Sequence, residues 1–493
     1  VIPNRERGGV GLPARGVSRA EERRDYLAAL AAAGERTLSF PRADPRAQRA
    51  RQPARWLLET CTVLSGASRP VYGDDLAHLR GDPRAAAWFR DLESFEFWLA
   101  RDGSPATLSE HDVGGLLAAH RAGLPLDAAP VVAADPTLAR GLQAVAARGV
   151  GAFGRWTGFA GGREEFLLEL ERPQSATALQ TWATCPFRYF LGHVLGVAEL
   201  DDPTDSDEIS AMDRGSLVHA ILERFVGEQL GRPPTAPWTA DDRGRLAELA
   251  DEVAAEFESE GRTGRTLLWR LHWTRLRRYL DRILTADDEL RRALGVAPEA
   301  VELGFGFPDD AIGPVSVDAG GGRTVMFRGR IDRVDRSPSG DRMVVLDYKT
   351  ARARTYPALA GAPEDVDLTG AGRHLQLLVY AHAARAAYGD VPVEARFWFV
   401  SPNEEPSLRG GPVDDRAEAR FREVLGTIVD GIEHGRFPAR PGAETFFGFE
   451  NCGWCPYNQV CPTGRSELWT RVRRAPELAS FVALAESDGG GEP

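Results

Sequence analysis

Two neighbouring strand-like runs stand out in the hydrophobic pattern of the chain. Residues 324–335 and residues 344–349 are rich in apolar and β-branched side chains, and the stretch 337–340 between them contains proline, serine and glycine. Such runs, separated by turn-forming residues, predict two strands joined as a β-hairpin.

The predicted hairpin gathers charged residues that suit metal-dependent chemistry. Residues two apart on a strand point to the same face, so Asp347 and Lys349 should project together, with Asp332 within a residue or two of the register of Asp347. Lys349 is the single lysine among the 60 Lys and Arg residues. Lysine offers a compact ammonium whose pKa shifts readily, which arginine does not. Paired carboxylates suit a hard cation such as Mg²⁺, which can clamp a phosphate.

Two helical patterns add candidates to this site. In residues 212–230 an apolar stripe has His219 at its border, from where the imidazole can reach inward. Gln376 and Tyr380 are four residues apart and so share one face of a helix. Ordinary packing is the alternative for all three side chains. Glu302, in a strand-like stretch, is a further acidic candidate.

Four of the five cysteines form a second chemical pattern. Cys452, Cys455 and Cys461 lie close together, whereas Cys185 lies far upstream. Four thiolates satisfy one tetrahedral zinc ion or one 4Fe–4S cluster. The odd cysteine total and the lack of a signal-like N-terminus favour a reducing cytoplasm and metal binding over disulfides. Cys61, in an apolar run, is expected to be a buried thiol.

Composition sets limits on the class of protein and its partners. The chain has 493 residues, 43% of them hydrophobic, and no stretch approaches the roughly 20 apolar residues of a membrane helix. Its net charge is −12, but phosphate contact requires only a local basic face. The helix-like segment 262–282, in which Trp269 and Trp273 lie among arginines, suits backbone contact and base stacking. A solvated helix with acidic partners elsewhere is the alternative. The arginines predicted to bind nucleic acid are Arg270, Arg275, Arg277 and Arg278.

The motifs around the hairpin resemble those of the PD-(D/E)XK nucleases, in particular the RecB and AddB branch of DNA-repair exonucleases. Residues 329–335 are similar to the Gly-Arg-Ile-Asp strand of that family, and residues 347–350 to its Asp-Tyr-Lys-Thr motif. Residues 214–219 are similar to the helix that gives this branch an extra metal-binding histidine, and residues 376–380 to its Gln-x-x-x-Tyr helix. The one-plus-three cysteine arrangement resembles that of the AddB-type iron–sulfur nucleases.

This resemblance implies a fold, a reaction and a role for each candidate. The fold would be α/β, a restriction-endonuclease-like core with a mixed central sheet flanked by helices, preceded by a mainly helical region. The reaction would be hydrolysis of DNA phosphodiesters with Mg²⁺ or Mn²⁺. Lys349 would orient or activate the attacking water, and Gln376 and Tyr380 would face the active site and DNA. The implied metal ligands are His219, Asp332, Asp347 and the carbonyl of Tyr348. The implied ligands of a 4Fe–4S cluster, with zinc as the alternative, are Cys185, Cys452, Cys455 and Cys461.

Four segments are expected along the chain. Residues 1–70 contain a stretch, 20–30, that resembles a degraded form of the closing motif of UvrD-type helicases, and residues 71–170 form a helical connection. Residues 171–466 form the nuclease domain, and residues 467–493 a C-terminal helix and a disordered tail. A phosphate-binding loop of a motor needs a lysine, and Lys349 is not in such a loop, so motor function is not expected.

These features predict DNA as the partner, as a single strand or as the unwound end of a duplex. A helicase subunit, or an N-terminal helicase-like portion of a longer polypeptide, is expected as well, with no membrane association and a cytoplasmic location. Two other interpretations stay open. One is a non-catalytic DNA-binding subunit with a structural metal cluster, and the other is a redox iron–sulfur protein, which would need none of Asp332, Asp347 and Lys349.

Overall fold

The protein is described here by a computed structural model. It covers residues 15–44, 49–92, 94, 96, 98–99, 105–161, 172–198, 208–402, 404–446, 448–453 and 455–486. The last five residues, 489–493, which were predicted to be disordered, lie outside this range. The chain forms two compact units. The first comprises residues 1–152, 442–453 and 458–464, and the second comprises residues 153–441, 454–457 and 465–493.

The first unit is mainly helical, as predicted for the N-terminal region. A small apolar cluster of Cys61, Val71 and Leu76 is buried in it, which confirms the prediction of a buried Cys61 thiol. Its helices are Arg15–Ala31, Arg55–Ser65, Leu76–Leu79, Leu108–Arg121, Pro130–Ala134 and Pro136–Val150. Its short strands are Ala43–Asp44, Arg49–Ala50, Glu444–Thr445 and Gly448–Phe449.

The second unit is built around a mixed sheet of seven strands. These are β1 Gln174–Ser175, β2 Ala297–Phe305, β3 Val315–Gly320, β4 Arg323–Arg336, β5 Met343–Lys349, β6 Val393–Phe399 and β7 Ser407–Pro412. The order along the sheet is β1–β4–β5–β6–β7, and the long strand β4 also pairs with β2 and β3. The β1–β4 and β5–β6 pairs are parallel, and the other pairs are antiparallel.

The predicted hairpin is present as β4 and β5. Arg333 pairs with Leu346, and the backbone N–H of Ser337 donates to the carbonyl of Arg342 at 3.0 Å, which closes the turn. Gly340 has φ of 73°, a left-handed conformation that glycine adopts without steric cost. The turn residues therefore set the register that places the ends of the two strands side by side.

Helices cover both faces of this sheet. In chain order they are α1 Ala176–Thr184, α2 Ala211–Gly227, α3 Ala240–Ser259, α4 Thr266–Leu294, α5 Gln376–Tyr388, α6 Asp415–Glu433, α7 Arg465–Val472 and α8 Ala479–Glu486, with a short additional helix at Pro186–Tyr189. Side chains of α1, α5, α6 and α8 form one core with Val345 of β5, whereas α2, α3 and α4 form the other with Val344 and Leu346. The predicted α/β fold with a mixed, helix-flanked sheet is confirmed. Within the described ranges, no helix combines the length and the apolar character needed to span a membrane.

A group of buried charges joins the sheet to α4. The guanidinium of Arg333 donates to Asp335 at 2.6 Å and to Asp287 at 2.7 Å, and Arg291 donates to Asp287 at 2.9 Å. The exposure of these four side chains ranges from 0% to 2%. Loss of one member would leave a buried charge uncompensated, so the network holds α4 against β4.

In the arginine-rich segment 262–282, the position of Trp269 contradicts one prediction. Trp269 is 3% exposed and stacks on Trp273 with ring centroids 5.5 Å apart. Trp269 is on the buried face of α4, because it falls on the same helical stripe as Leu276 and Leu280. The prediction that this tryptophan stacks on nucleic-acid bases was therefore wrong.

Candidate active site

The β4–β5 hairpin brings two buried carboxylates together. Asp332 and Asp347 directly flank the Arg333–Leu346 pair on their respective strands. The backbone N–H of Tyr348 donates to Asp332 Oδ2 at 2.6 Å. Burial raises the pKa of Asp347 to about 6, an effect that Lys349 opposes and Asp332 reinforces. The predicted proximity of the two carboxylates is confirmed.

The imidazole of His219 reaches the carboxylates from α2. Its Nε2 lies 3.1 Å from the carbonyl oxygen of Tyr348, and its Nδ1 lies 3.4 Å from Asp332 Oδ2. Burial lowers the pKa of His219, but the negative charges of Asp332 and Asp347 outweigh burial, and the net pKa is raised. The structure thus brings together the four groups that were predicted as metal ligands.

Glu302 adds a third carboxylate, to which the sequence had given only a weak signal. One ligand atom each from His219, Glu302 and Asp332 lie within 4.8 Å of one another. Glu302 has φ of 46°, a conformation that is costly for a residue with a Cβ and persists where the surroundings enforce it. Burial raises the pKa of Glu302 to about 7, with a further contribution from Asp332. Carboxylates and one imidazole at this spacing fit a hard divalent cation.

The ammonium of Lys349 is held on three sides. Its Nζ lies 2.5 Å from Asp347 Oδ2, donates to Gln376 Oε1 at 3.1 Å, and lies 4.7 Å from the centroid of the Phe397 ring. Burial lowers the pKa of Lys349, but Asp347, together with Tyr356 and Asp332, outweighs burial, and the net pKa is raised. The lysine is therefore a fixed positive charge beside the carboxylates.

Gln376 and Tyr380 extend this polar group along α5. Gln376 Nε2 donates to the hydroxyl of Tyr380 at 3.2 Å, so the two residues share a face as predicted. The backbone N–H of Gln376 donates to Gln180 Oε1 of α1 at 3.1 Å. Burial raises the pKa of Tyr380 above its usual range. Gln180 was not identified from the sequence, because nothing in a lone glutamine on a helix indicates what it contacts.

Two of the four cysteines predicted to bind a cluster, Cys185 and Cys455, lie in the second unit. Burial raises the pKa of the Cys185 thiol, and the nearby Cys455 adds to this effect. Backbone N–H groups of Arg440, Arg188 and Phe187 point at the sulfur and act in the opposite direction. Such donors favour the thiolate, which is the form that binds a metal. Cys452 and Cys461 are half-buried residues of the first unit.

The four arginines predicted to bind nucleic acid are exposed on α4. They are Arg270, Arg275, Arg277 and Arg278. Arg277 pairs with Asp251 of α3 at 3.1 Å, which is the kind of acidic partner that the alternative interpretation expected. All four side chains are exposed, and their role in binding nucleic acid stays a prediction.

A comparison with known protein families covers the residues of this site. A model of the PD-(D/E)XK nuclease superfamily matches residues 173–462. This span contains all seven strands of the large sheet and each residue of the cluster around Asp332 and Asp347.

Similar curated proteins include three that are named as subunits of an ATP-dependent helicase/deoxyribonuclease. The relative from Moorella thermoacetica is 31% identical over 282 residues, which cover 52% of this chain and 22% of the relative. The relative from Heliobacterium modesticaldum is 33% identical over 215 residues, which cover 43% of this chain and 16% of the relative. The relative from Symbiobacterium thermophilum is 34% identical over 241 residues, which cover 46% of this chain and 20% of the relative. The matched part of this chain thus spans about a fifth of the length of these relatives.

We expect Glu302→Gln to stabilise the metal-free protein at pH 8 and to reduce its stabilisation by Mn²⁺. The folded carboxyl has a pKa of about 7 against an ordinary value of 4.5. The folded state therefore binds more protons than the unfolded state between these values, and the free energy of unfolding falls as pH rises through them. Glutamine cannot ionise, so it removes this loss, but it also removes a charged metal ligand.

Thermal melting at pH 6 and pH 8, with and without Mn²⁺, measures both effects. Glu299→Gln is the matched control, because Glu299 lies exposed on the same strand. A melting shift with Mn²⁺ as large in Glu302→Gln as in the wild type would exclude Glu302 from the metal site.

Proposed function

The chain belongs to the PD-(D/E)XK nuclease superfamily, and on this premise we propose that it is a metal-dependent deoxyribonuclease. The observation that carries the proposal is the meeting of Asp332, Asp347 and Lys349 at one end of the β4–β5 hairpin. The reaction is hydrolysis of a phosphodiester bond. The substrate is an end of single-stranded or unwound DNA in repair or recombination, so the enzyme acts as an exonuclease.

The metal of this proposal is Mg²⁺ or Mn²⁺. The residues that would hold it are His219, Glu302, Asp332, Asp347 and the carbonyl of Tyr348. Three of these side chains already place ligand atoms within 4.8 Å of one another. When bound, a divalent ion makes water more acidic and neutralises charge on the phosphate. Burial and repulsion from Asp332 raise the pKa values of Glu302 and Asp347, and a cation relieves both causes, which supports the assignment.

Lys349 supplies the fixed positive charge of the site and orients the attacking water. In the reaction, a water oxygen attacks phosphorus and gives up one proton to the solvent, the bond from phosphorus to the leaving oxygen breaks, and that oxygen takes one proton. Lys349 carries protons on Nζ, and Asp347 and Gln376 hold the ammonium in place. A charged donor positioned before the reaction stabilises the negative charge that develops on phosphate oxygens. Tyr380 acts through Gln376 by fixing the orientation of its amide.

The partners of this proposal are DNA and a helicase. The names of the relatives combine the words helicase and deoxyribonuclease. A nuclease that acts on unwound ends needs a motor to produce them. We therefore place the chain beside a helicase, either as a separate polypeptide or as another part of the same one.

A 4Fe–4S cluster is the second cofactor of the proposal, with zinc as its alternative. The ligands would be Cys185, Cys452, Cys455 and Cys461. The backbone N–H groups around the sulfur of Cys185 support a ligand role for it. These cysteines stand near both ends of the segment 173–462 that matches the family. A clip that closes so long a loop lowers the entropy of the unfolded chain and so contributes to stability.

The wild-type protein is expected to degrade linear single-stranded DNA in the presence of Mg²⁺ or Mn²⁺ and not in EDTA. Asp347→Ala should abolish this cleavage without changing the fold, because the remaining groups cannot hold the cation in place. Gel assays on end-labelled single-stranded and duplex DNA measure the activity, and circular dichroism checks the fold. Asp390→Ala is the control, since this carboxylate is 98% exposed.

Two results would contradict the proposal. Normal turnover in a folded Asp347→Ala variant would place the chemistry elsewhere. DNA binding without cleavage by the wild type would instead favour the non-catalytic DNA-binding subunit.

Lys349→Arg should be almost as damaging to cleavage as Lys349→Ala, although it keeps the charge. The guanidinium is wider and would grip Asp347 with two hydrogen bonds, which displaces a metal ligand. Loss of a positioned charge-stabilising group predicts a fall in rate of about 10² to 10⁴. Single-turnover rates for the two variants make the comparison, and high activity in the arginine variant would mean that Lys349 supplies charge alone.

Purified protein should be brown, and Cys185→Ala should remove the visible absorbance that is typical of an iron–sulfur cluster. The variant should also melt at a lower temperature, because metal binding is coupled to folding. Absorbance spectra, iron analysis and melting curves test this, with Cys61→Ala as the control thiol outside the proposed set. A colourless wild type with stoichiometric zinc would replace the cluster by the alternative metal.

A further inference from the structure

Strand β7, the last in the sheet order, carries Arg409 on the same face of the sheet as Asp347. Asp347 on β5 pairs with Phe397 on β6, and Phe397 pairs with Arg409 on β7. Paired residues on neighbouring strands project from the same face of a sheet. The three side chains therefore form a row. Since neighbouring strands lie about 4.8 Å apart, the backbones of Asp347 and Arg409 are roughly 10 Å apart.

Arg409 makes no ion pair with any residue in the described part of the chain. Its side chain is half-buried, and its Nε is buried without a hydrogen bond. Two other arginines of the sheet show the contrast. Arg333 donates to Asp335 at 2.6 Å, and Arg396, the neighbour of Phe397 on the opposite face, donates to Glu394 at 2.6 Å.

The lack of a carboxylate beside Arg409 has a physical explanation. Removing a guanidinium from water without a charged partner is costly. Acidic residues are not scarce, because the chain has 72 Asp and Glu against 60 Lys and Arg. An internal carboxylate would compete with any anionic ligand for the same guanidinium. An arginine kept without one, on the face of the sheet that carries Asp347, is suited to a negatively charged ligand from outside.

We propose that Arg409 binds a backbone phosphate of the DNA strand next to the phosphate that is cleaved. This inference rests on the proposed nuclease function and adds a phosphate subsite to it. A guanidinium matches two phosphate oxygens with parallel hydrogen bonds. Phe397 lies between the two cations of the row, with Lys349 Nζ 4.7 Å from its ring centroid. Lys349 thus serves the reacting phosphate, and Arg409 fixes its neighbour.

Binding of a short single-stranded oligonucleotide in EDTA, followed by fluorescence anisotropy at several NaCl concentrations, tests the subsite without cleavage. Loss of one phosphate contact should lower the slope of log Kd against log salt by about 0.7 in Arg409→Gln. Affinity at low salt should fall about tenfold. Arg409→Lys should keep the slope near that of the wild type. Arg422→Gln removes the same charge from an exposed arginine 2.8 Å from Asp318 and should change neither quantity.

A second measurement locates the contact on the DNA. Oligonucleotides in which one linkage at a time carries an uncharged methylphosphonate are bound to the wild type and to Arg409→Gln. Neutralising one linkage should weaken binding to the wild type and have no further effect on the variant. Such a pattern assigns that phosphate to Arg409 rather than to the general charge of the surface.

The outcomes separate this inference from the proposed function. If Arg409→Gln melts like the wild type and keeps its salt slope and affinity, the subsite is overturned and the nuclease proposal stands. If the Arg409 effect is present but Mg²⁺ supports no cleavage, the nuclease proposal falls, and Arg409 remains a contact to a DNA phosphate without a neighbouring cleavage site. If Arg409→Gln does not fold, the absence of any position-specific methylphosphonate effect in the wild type overturns the subsite.

Discussion

The hydrogen bond from the backbone N–H of Tyr348 to Asp332 Oδ2, at 2.6 Å, is the interaction on which the site depends. A side-chain carboxylate takes the place of a main-chain carbonyl here, just beyond the last regular pair, Arg333 with Leu346. The backbone of Tyr348 is thereby fixed, and its carbonyl oxygen lies 3.1 Å from His219 Nε2. Asp347 and Lys349, on either side of this residue, must then project together. One carboxylate thus fastens two strands and lines the site.

Successive side chains of β4 point to opposite faces of the sheet, so neighbouring residues have different surroundings. Asp332 faces the candidate metal ligands, whereas Arg333 points to the other face and binds Asp335 and Asp287. Burying such charges removes them from water, which is unfavourable, and a protein with hydrophobic residues in their place can be equally stable. The network therefore serves to position β4 rather than to raise the free energy of unfolding. It anchors the strand from behind, so that Asp332 and the Tyr348 peptide are held by a rigid element, as a precise ligand arrangement requires.

The sequence predicted those parts of the site that depend on local periodicity. The hairpin, the helix of His219 and the shared face of Gln376 and Tyr380 all follow from period-2 or period-3.6 patterns. Glu302 was weakly signalled because its position depends on φ of 46° and on the pairing of β2 with β4, which no local pattern reports. Trp269 was misassigned because aromatic residues among arginines resemble a stacking surface, although the helical period turns this ring into the core.

Arg409 and Lys349 show why one face of the sheet carries two kinds of cation. Lys349 must fit between Asp347 and Gln376, at 2.5 Å and 3.1 Å, and only a single compact nitrogen can do so without displacing either group. Arg409 lies beyond Phe397, where no described carboxylate constrains it and a broad, permanently charged fork suits an oxygen-rich anion. The contacts around each position therefore account for a lysine at 349 and an arginine at 409. The same contacts show how a chain with an excess of acidic residues can still carry the cation that the proposed DNA contact requires.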